Sequence, residues 1–133
     1  MASKGVRLWA PLSLSLSLSL PLSLSLALAC GSSPTASDGT SPQVRIDAPA
    51  AGATVGGQVS IDVTATDNFG VDRVRFLLDG NLLQEVFTAP YHAVWNTSQL
   101  ANGSVHTIRI EALDVARNRG TTQIQVTVQN GPQ

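Results

Sequence analysis

The 133-residue chain has one cysteine, Cys30, and one lysine, Lys4. A lone thiol cannot make an internal disulfide, so the folded part must be stable on its core alone. It also rules out a cysteine-rich zinc centre, and the only histidines, His92 and His106, sit apart in alternating segments with no second ligand at a defined spacing. From Cys30 onward six arginines stand against nine acidic residues, a net charge of about minus three with no basic run. That balance argues against nucleic-acid binding, which needs a basic face. No stretch holds an apolar i, i+3, i+4, i+7 stripe long enough for a helix. Nor is there a Ser/His/Asp or Cys/His set for nucleophilic catalysis, and Glu85 has no evident carboxylate partner, so no enzymatic activity is expected.

What is present begins with an address. Lys4 and Arg7 precede an apolar segment, Leu8 to Ala29, in which leucines alternate with serines from Leu12 to Leu28, interrupted by Pro21. A positive start, an apolar middle and small residues at the exit have the order of a secretory signal. The exit, Leu26-Ala27-Leu28-Ala29-Cys30, resembles the bacterial lipobox, in which a small residue precedes a lipidated cysteine. That resemblance implies lipid attachment at Cys30, although Ala27 and Leu28 reverse the usual order of leucine and small residue. Ala27-Leu28-Ala29 also satisfies the A-x-A rule for ordinary cleavage, which would give a soluble secreted domain. A third reading keeps residues 8 to 29 as an uncleaved span, weakened by six serines and two prolines.

Residues 30 to 42 follow as a tether; after Cys30 they run GSSPTASDGTSP, with no large apolar side chain to offset ordering entropy. Residues 43 to 130 form one domain, and 131 to 133 a tail. Within the domain short alternating segments are separated by Gly, Asn, Asp and Pro, the pattern of an all-β fold. Seven strands are expected. The cleanest alternates Val59, Ile61, Val63 and Ala65 with Ser60, Asp62, Thr64 and Thr66. Val74, Phe76 and Leu78 lead to Asp79-Gly80-Asn81, a tight-hairpin signal. Tyr91, Ala93 and Trp95 share an inward face; Ile108, Ile110 and Ala112 oppose Arg109 and Glu111; Ile124, Val126 and Val128 complete the core.

The stretches APAAGATVGG (48 to 57), TATDNFGV (64 to 71), VRFLLDGNLL (74 to 83), APYHAVWNT (89 to 97), ANGS (101 to 104) and ALDVARNRG (112 to 120) resemble the bacterial Ig-like domain family. The resemblance spans 43 to 130 and implies an immunoglobulin-like β-sandwich with Greek-key connections. Such modules serve as spacers, stalks, adhesins and accessory binding domains. The expectation is therefore a non-catalytic, exported, lipid-anchored module of the cell envelope, binding a protein or cell-wall glycan or acting as a structural spacer. Arg117 departs from the family's usual Gly in an A-x-G-N turn, which puts a positive-φ backbone there in question.

Asp67, Asn68, Asp114 and Asn118 are the candidate metal residues. Immunoglobulin strand order would bring them to one end of the sandwich, where their oxygens could hold calcium. Asx turn chemistry explains the same residues without an ion and is preferred, so no cofactor is expected. Leu82, Leu83 and Phe87 are candidate contact residues, because with Val86 they would form an exposed apolar patch of the kind that marks an interaction site on a monomer, and Phe69, in the loop after Asp67-Asn68, is a separate exposed candidate. Asn96-Thr97-Ser98 and Asn102-Gly103-Ser104 match glycosylation sequons but are explained as turns.

Overall fold

A computed structural model of the protein describes residues 37–132; Cys30 and the segment read as signal and anchor lie outside the described residues. Eight strands form: β1 Gln43–Ala48, β2 Thr54–Val55, β3 Gln58–Thr66, β4 Val71–Leu78, β5 Asn81–Val86, β6 Tyr91–Asn96, β7 Val105–Asp114 and β8 Arg119–Val128. They make two sheets, β1-β3-β6 and β2-β8-β7-β4-β5. All pairs are antiparallel except β2 with β8, which is parallel. The seven strands read from the alternation are present, and the eighth is the two-residue β2 between the breakers Pro49 and Gly56-Gly57.

Strand parity decides the core. Val59, Ile61 and Val63 of β3 and Ala93 and Trp95 of β6 face Val74 and Phe76 of β4, Ile108, Ile110 and Ala112 of β7, and Val126 and Val128 of β8. Each fully buried large aliphatic or aromatic side chain among them contributes about 1.5–3 kcal/mol. Trp95 meets His106 edge-on, with ring centroids 5.5 Å apart. His92 lies exposed on the other face of β6.

The turn joining β4 to β5 puts Asp79 at φ 49° and Gly80 at φ 88°, the two left-handed residues that a short hairpin needs. Asp79 tolerates that backbone because its carboxylate is held: Oδ1 accepts the Thr107 amide at 2.9 Å and Oδ2 lies 2.6 Å from His106 Nδ1. Arg117 also has a left-handed backbone, φ 73°. The turn therefore keeps its conformation despite the arginine, held by the Arg117 amide donating to the Asp114 carbonyl at 3.1 Å.

Asp38 and Pro42, in the stretch read from composition as the end of the tether, contact the sandwich, with 39 to 41 exposed between them. Pro42 is buried, its carbonyl fills the space that a Cβ on Gly120 would need, and Asn118 Nδ2 donates to the Asp38 carbonyl at 2.9 Å. At the other end Asn130 closes the domain. Its Oδ1 accepts from the Gly57 amide and the Thr97 hydroxyl, both at 3.0 Å, and its Nδ2 donates to the carbonyls of Thr97 and Leu100. No helix among the described residues is long and apolar enough to cross a membrane.

Candidate functional site

Two clusters of charged side chains stand out. The first is acidic. β3 ends at Thr66 and β7 at Asp114, which brings Asp67 and Asp114 together as the strand order implied. Asp38, from the segment before β1, joins them, and the three residues offer carboxylate oxygens that all lie within 4.8 Å of one another. Asp114 is 1% exposed. Burial raises its pKa, but hydrogen bonds from the side chain and amide of Asn118, with the Ala116 amide adding to them, hold it below the ordinary carboxylate value.

The Asn118 amide reaches Asp114 Oδ1 at 2.8 Å, and its side-chain Nδ2 reaches Oδ2 at 2.7 Å. The Phe69 amide donates to Asp67 Oδ2 at 2.8 Å, an Asx turn, and the Asn68 side chain donates to Asp38 Oδ1 at 3.3 Å. Turn bonds thus account for part of each carboxylate's acceptor capacity. They leave Asp38 Oδ2 and Asp67 Oδ1 enclosed, with no hydrogen-bond partner. Among the described residues none of the three aspartates has an arginine or histidine within ion-pair distance.

The second cluster is on the outer face of the five-stranded sheet. Cross-strand register sets Arg75 of β4 opposite both Glu85 of β5 and Glu111 of β7. Glu111, only 5% exposed, receives Arg75 Nη1 at 3.1 Å, Arg109 Nη2 at 3.2 Å and Arg119 Nη1 at 3.4 Å. Arg73 pairs with Asp72 at 2.9 Å and Glu85 at 3.6 Å. Arg75 Nε approaches Glu85 at 3.2 Å, but at an angle that makes no hydrogen bond. Four arginines on this sheet thus meet three carboxylates, while Arg45 is the sole arginine of the three-stranded sheet, among Asp47 and Asp62. A groove of about 370 Å³ beside them is lined by Arg73, Arg75, Glu85, Leu113, Asp114 and Arg117.

The contact candidates divide. Phe69, Leu82 and Phe87 are exposed, at 57%, 51% and 56%. Leu83 is half-buried and packs against the core. The reason is a register shift between Phe76 and Leu77: Phe76 pairs with Gln84 and Leu77 with Leu82, so Leu83 is the extra residue and turns inward. Val86, opposite Val74, also packs inward. Leu82 and Phe87 are therefore separate exposed groups, not one apolar patch. Arg73 lies over the Phe87 ring, 5.6 Å from its centroid. Asp62 faces away from these arginines, on the three-stranded sheet, and accepts from Ser60.

Two features escaped sequence reasoning. Asp38 had one signal, being the sole charged residue of the stretch from 31 to 42. Of the arginine cluster, the pairing of Arg75 and Arg109 with Glu111 follows from polar strand faces, but the arrival of Arg119 depends on which strands neighbour each other.

Residues 42–110 match the family model of the bacterial Ig domain, which is more than half of the chain. The chain belongs to this family. Among curated proteins no sequence match is found. Among solved structures, a fibronectin(III)-like module of CbhA from Clostridium thermocellum is similar at 24% identity, with a TM-score of 0.57, covering 68% of this chain and all of that one. The endo-beta-1,4-mannanase from Thermotoga petrophila is similar at 14% identity and a TM-score of 0.58, covering 71% of this chain but 21% of the enzyme. Both likenesses are of fold. In the bacterial Ig domain described here the family match ends inside β7, and β8, which pairs with β7 along its length, completes the same sheet.

Proposed function

We propose that this bacterial Ig domain is a non-catalytic module, exported and held at the cell envelope by a lipid on Cys30, that binds an acidic glycan through the outer face of its five-stranded sheet. The observation that carries the binding reading is the convergence of Arg73, Arg75, Arg109 and Arg119 on one open face of a domain that is acidic elsewhere. Guanidinium groups present a planar fork of donors that matches carboxylates and is only weakly hydrated. Arg109 and Arg119 keep 43% and 55% of their side-chain surface exposed, so each has donors free for a ligand. The groove beside Arg73 and Arg117 falls within the range of sizes that accommodate small ligands and sugar units. The exposed Phe87 ring, next to Arg73, adds an apolar surface at the rim.

Export and anchoring rest on the sequence: a basic start, an apolar segment and a cysteine at its small-residue exit. The test of binding uses the full chain on immobilised polygalacturonate, with a neutral glucan as control. Retention on the polyuronate alone, weakened by salt and lost in the Arg109→Ala, Arg119→Ala double variant, is expected. Equal behaviour on both polymers refutes the acidic-glycan reading and leaves the module as a spacer or a protein-binding domain.

A further inference from the structure

We propose that the end of the sandwich carrying the β3–β4 and β7–β8 loops contacts the membrane surface, with Phe69 and Val115 entering the lipid interface. The proposal rests on the reading that Cys30 carries a lipid, and it uses none of the four arginines of the glycan face. Phe69 is 57% exposed and Val115 66%, and neither packs against the core. Strand register puts them at one end. Val71 of β4 pairs with Asp114 of β7 in an antiparallel ladder, so the residues just before Val71 and just after Asp114 leave the sheet together. The Phe69 amide donates to Asp67 Oδ2 at 2.8 Å, an Asx turn that folds the β3–β4 loop back at the phenylalanine.

The partner follows from where the chain enters. Gln43 at the start of β1 pairs with Thr66 at the end of β3, and Asp38 is held by Asn68 and Asn118, which belong to the same two loops. The segment leading from Cys30 therefore arrives beside Phe69 and Val115. Eight residue steps separate Cys30 from Asp38, at most about 29 Å when fully extended. The opposite end of the sandwich is a strand length farther away, about 33 Å for the ten residues of β7. A bilayer that holds the Cys30 lipid is thus within reach of these loops. A short flexible linker gives an effective concentration of about millimolar, so a weak contact by two side chains is enough to be populated. Phenylalanine and aliphatic side chains enter the boundary between headgroups and acyl chains. Of the charged residues flanking the loop tips, Asp38, Asp67 and Asp114 are acidic and Arg117 is basic, which is no polybasic patch for anionic headgroups. The contact is therefore apolar and needs no anionic lipid.

The test uses the full mature chain, acylated by its host and placed in phosphatidylcholine nanodiscs at one copy per disc. Cys30 is the only cysteine, so with its sulfur carrying the lipid a spin label attaches solely at an introduced thiol. One label goes at exposed Ala116 through Ala116→Cys, and a control at exposed Gln99 through Gln99→Cys, past the end of β6 that pairs with the start of β3. The Ala116 label should lose most of its collisions with a water-soluble nickel chelate and gain collisions with oxygen, unchanged by salt, while the Gln99 label stays in water. Adding Phe69→Ser and Val115→Ser should return the Ala116 label to water with Tm unchanged, because both side chains are exposed. An intact mass without acyl chains overturns the anchor and this orientation with it. Acylated protein whose Ala116 label meets nickel as often as the Gln99 label overturns the membrane contact and leaves the anchor standing. Shielding that survives the double serine change overturns the role of Phe69 and Val115. Shielding seen only in discs with two copies assigns the loops to a second copy of the chain and overturns the lipid contact.

Discussion

Replacing Glu111 by glutamine should destabilise the protein and strengthen its hold on an acidic polymer at the same time. Its carboxylate is 6% exposed and takes three guanidinium contacts, at 3.1, 3.2 and 3.4 Å. Breaking an entirely buried ion pair costs about 3–5 kcal/mol. That figure is too large here, because the three arginines keep 34% to 55% of their side-chain surface in water and recover hydration when released. Treating each contact as an exposed pair of about 0–1 kcal/mol, with the upper half of that range for a shielded carboxylate, gives a loss of about 1.5–3 kcal/mol. With a urea slope of about 1–3 kcal/mol per molar for a small domain, the unfolding midpoint should fall by roughly 1 M at unchanged slope. The released arginines should then bind polygalacturonate more tightly, and the gain should fade with salt. An unfolding midpoint within error of the parent refutes the idea that Glu111 organises this face, and weaker polymer binding refutes the role given to the arginines.

Other expectations follow from the same contacts. Trp95→Ala removes a side chain that is 5% exposed and packed on His106, so it should cost about 3–5 kcal/mol by urea unfolding; a loss below about 1 kcal/mol would contradict its core position. Stability should fall below about pH 4. Asp79 is held below its ordinary value of 3.8 first by His106 and then by the Thr107 amide, and Asp47 is held down first by the Thr64 hydroxyl. Because these pKa values are depressed in the folded state, the unfolded chain takes up protons first; the contribution is complete above the ordinary value and vanishes as pH falls through the depressed ones. Asp79→Asn should flatten that acid limb, and an unchanged limb would exclude Asp79 as a cause. Intact mass of protein recovered from host membranes should show cleavage before Cys30 plus acyl chains, both lost in Cys30→Ala; a soluble, cleaved and unacylated chain would contradict the anchor.

Period-two alternation carries most of the fold. Val59, Ile61 and Val63, or Ile108 and Ile110, can be assigned to the core from parity alone, since a slip of one residue would expose the whole set. Asp79-Gly80 specifies its turn because both residues accept left-handed backbone. Leu83, expected in an exposed patch, turns inward because of a one-residue bulge in the β4–β5 pairing that is invisible in the chain. The acidic end was half legible: Asp67 and Asp114 follow from strand direction, but Asp38 sits in a stretch whose composition gives no reason to dock. What docks it is Pro42 against Gly120 and the Asn118 amide on its carbonyl, contacts 78 and 80 residues apart in sequence. The arginine face was legible in part: polar strand faces offer Arg75 and Arg109 a cross-strand partner in Glu111, but Arg119 joins them only through the order β8-β7-β4. Spread along the chain they look like ordinary solvated positions.

The most direct test of the binding account is to map backbone amide chemical shifts of the protein during titration with a galacturonate oligosaccharide. The account predicts saturable changes confined to β4, β7 and β8 around Arg73, Arg75, Arg109 and Arg119, with β1, β3 and β6 unaffected. Changes centred on the three-stranded sheet, or none at saturating oligosaccharide, would contradict it.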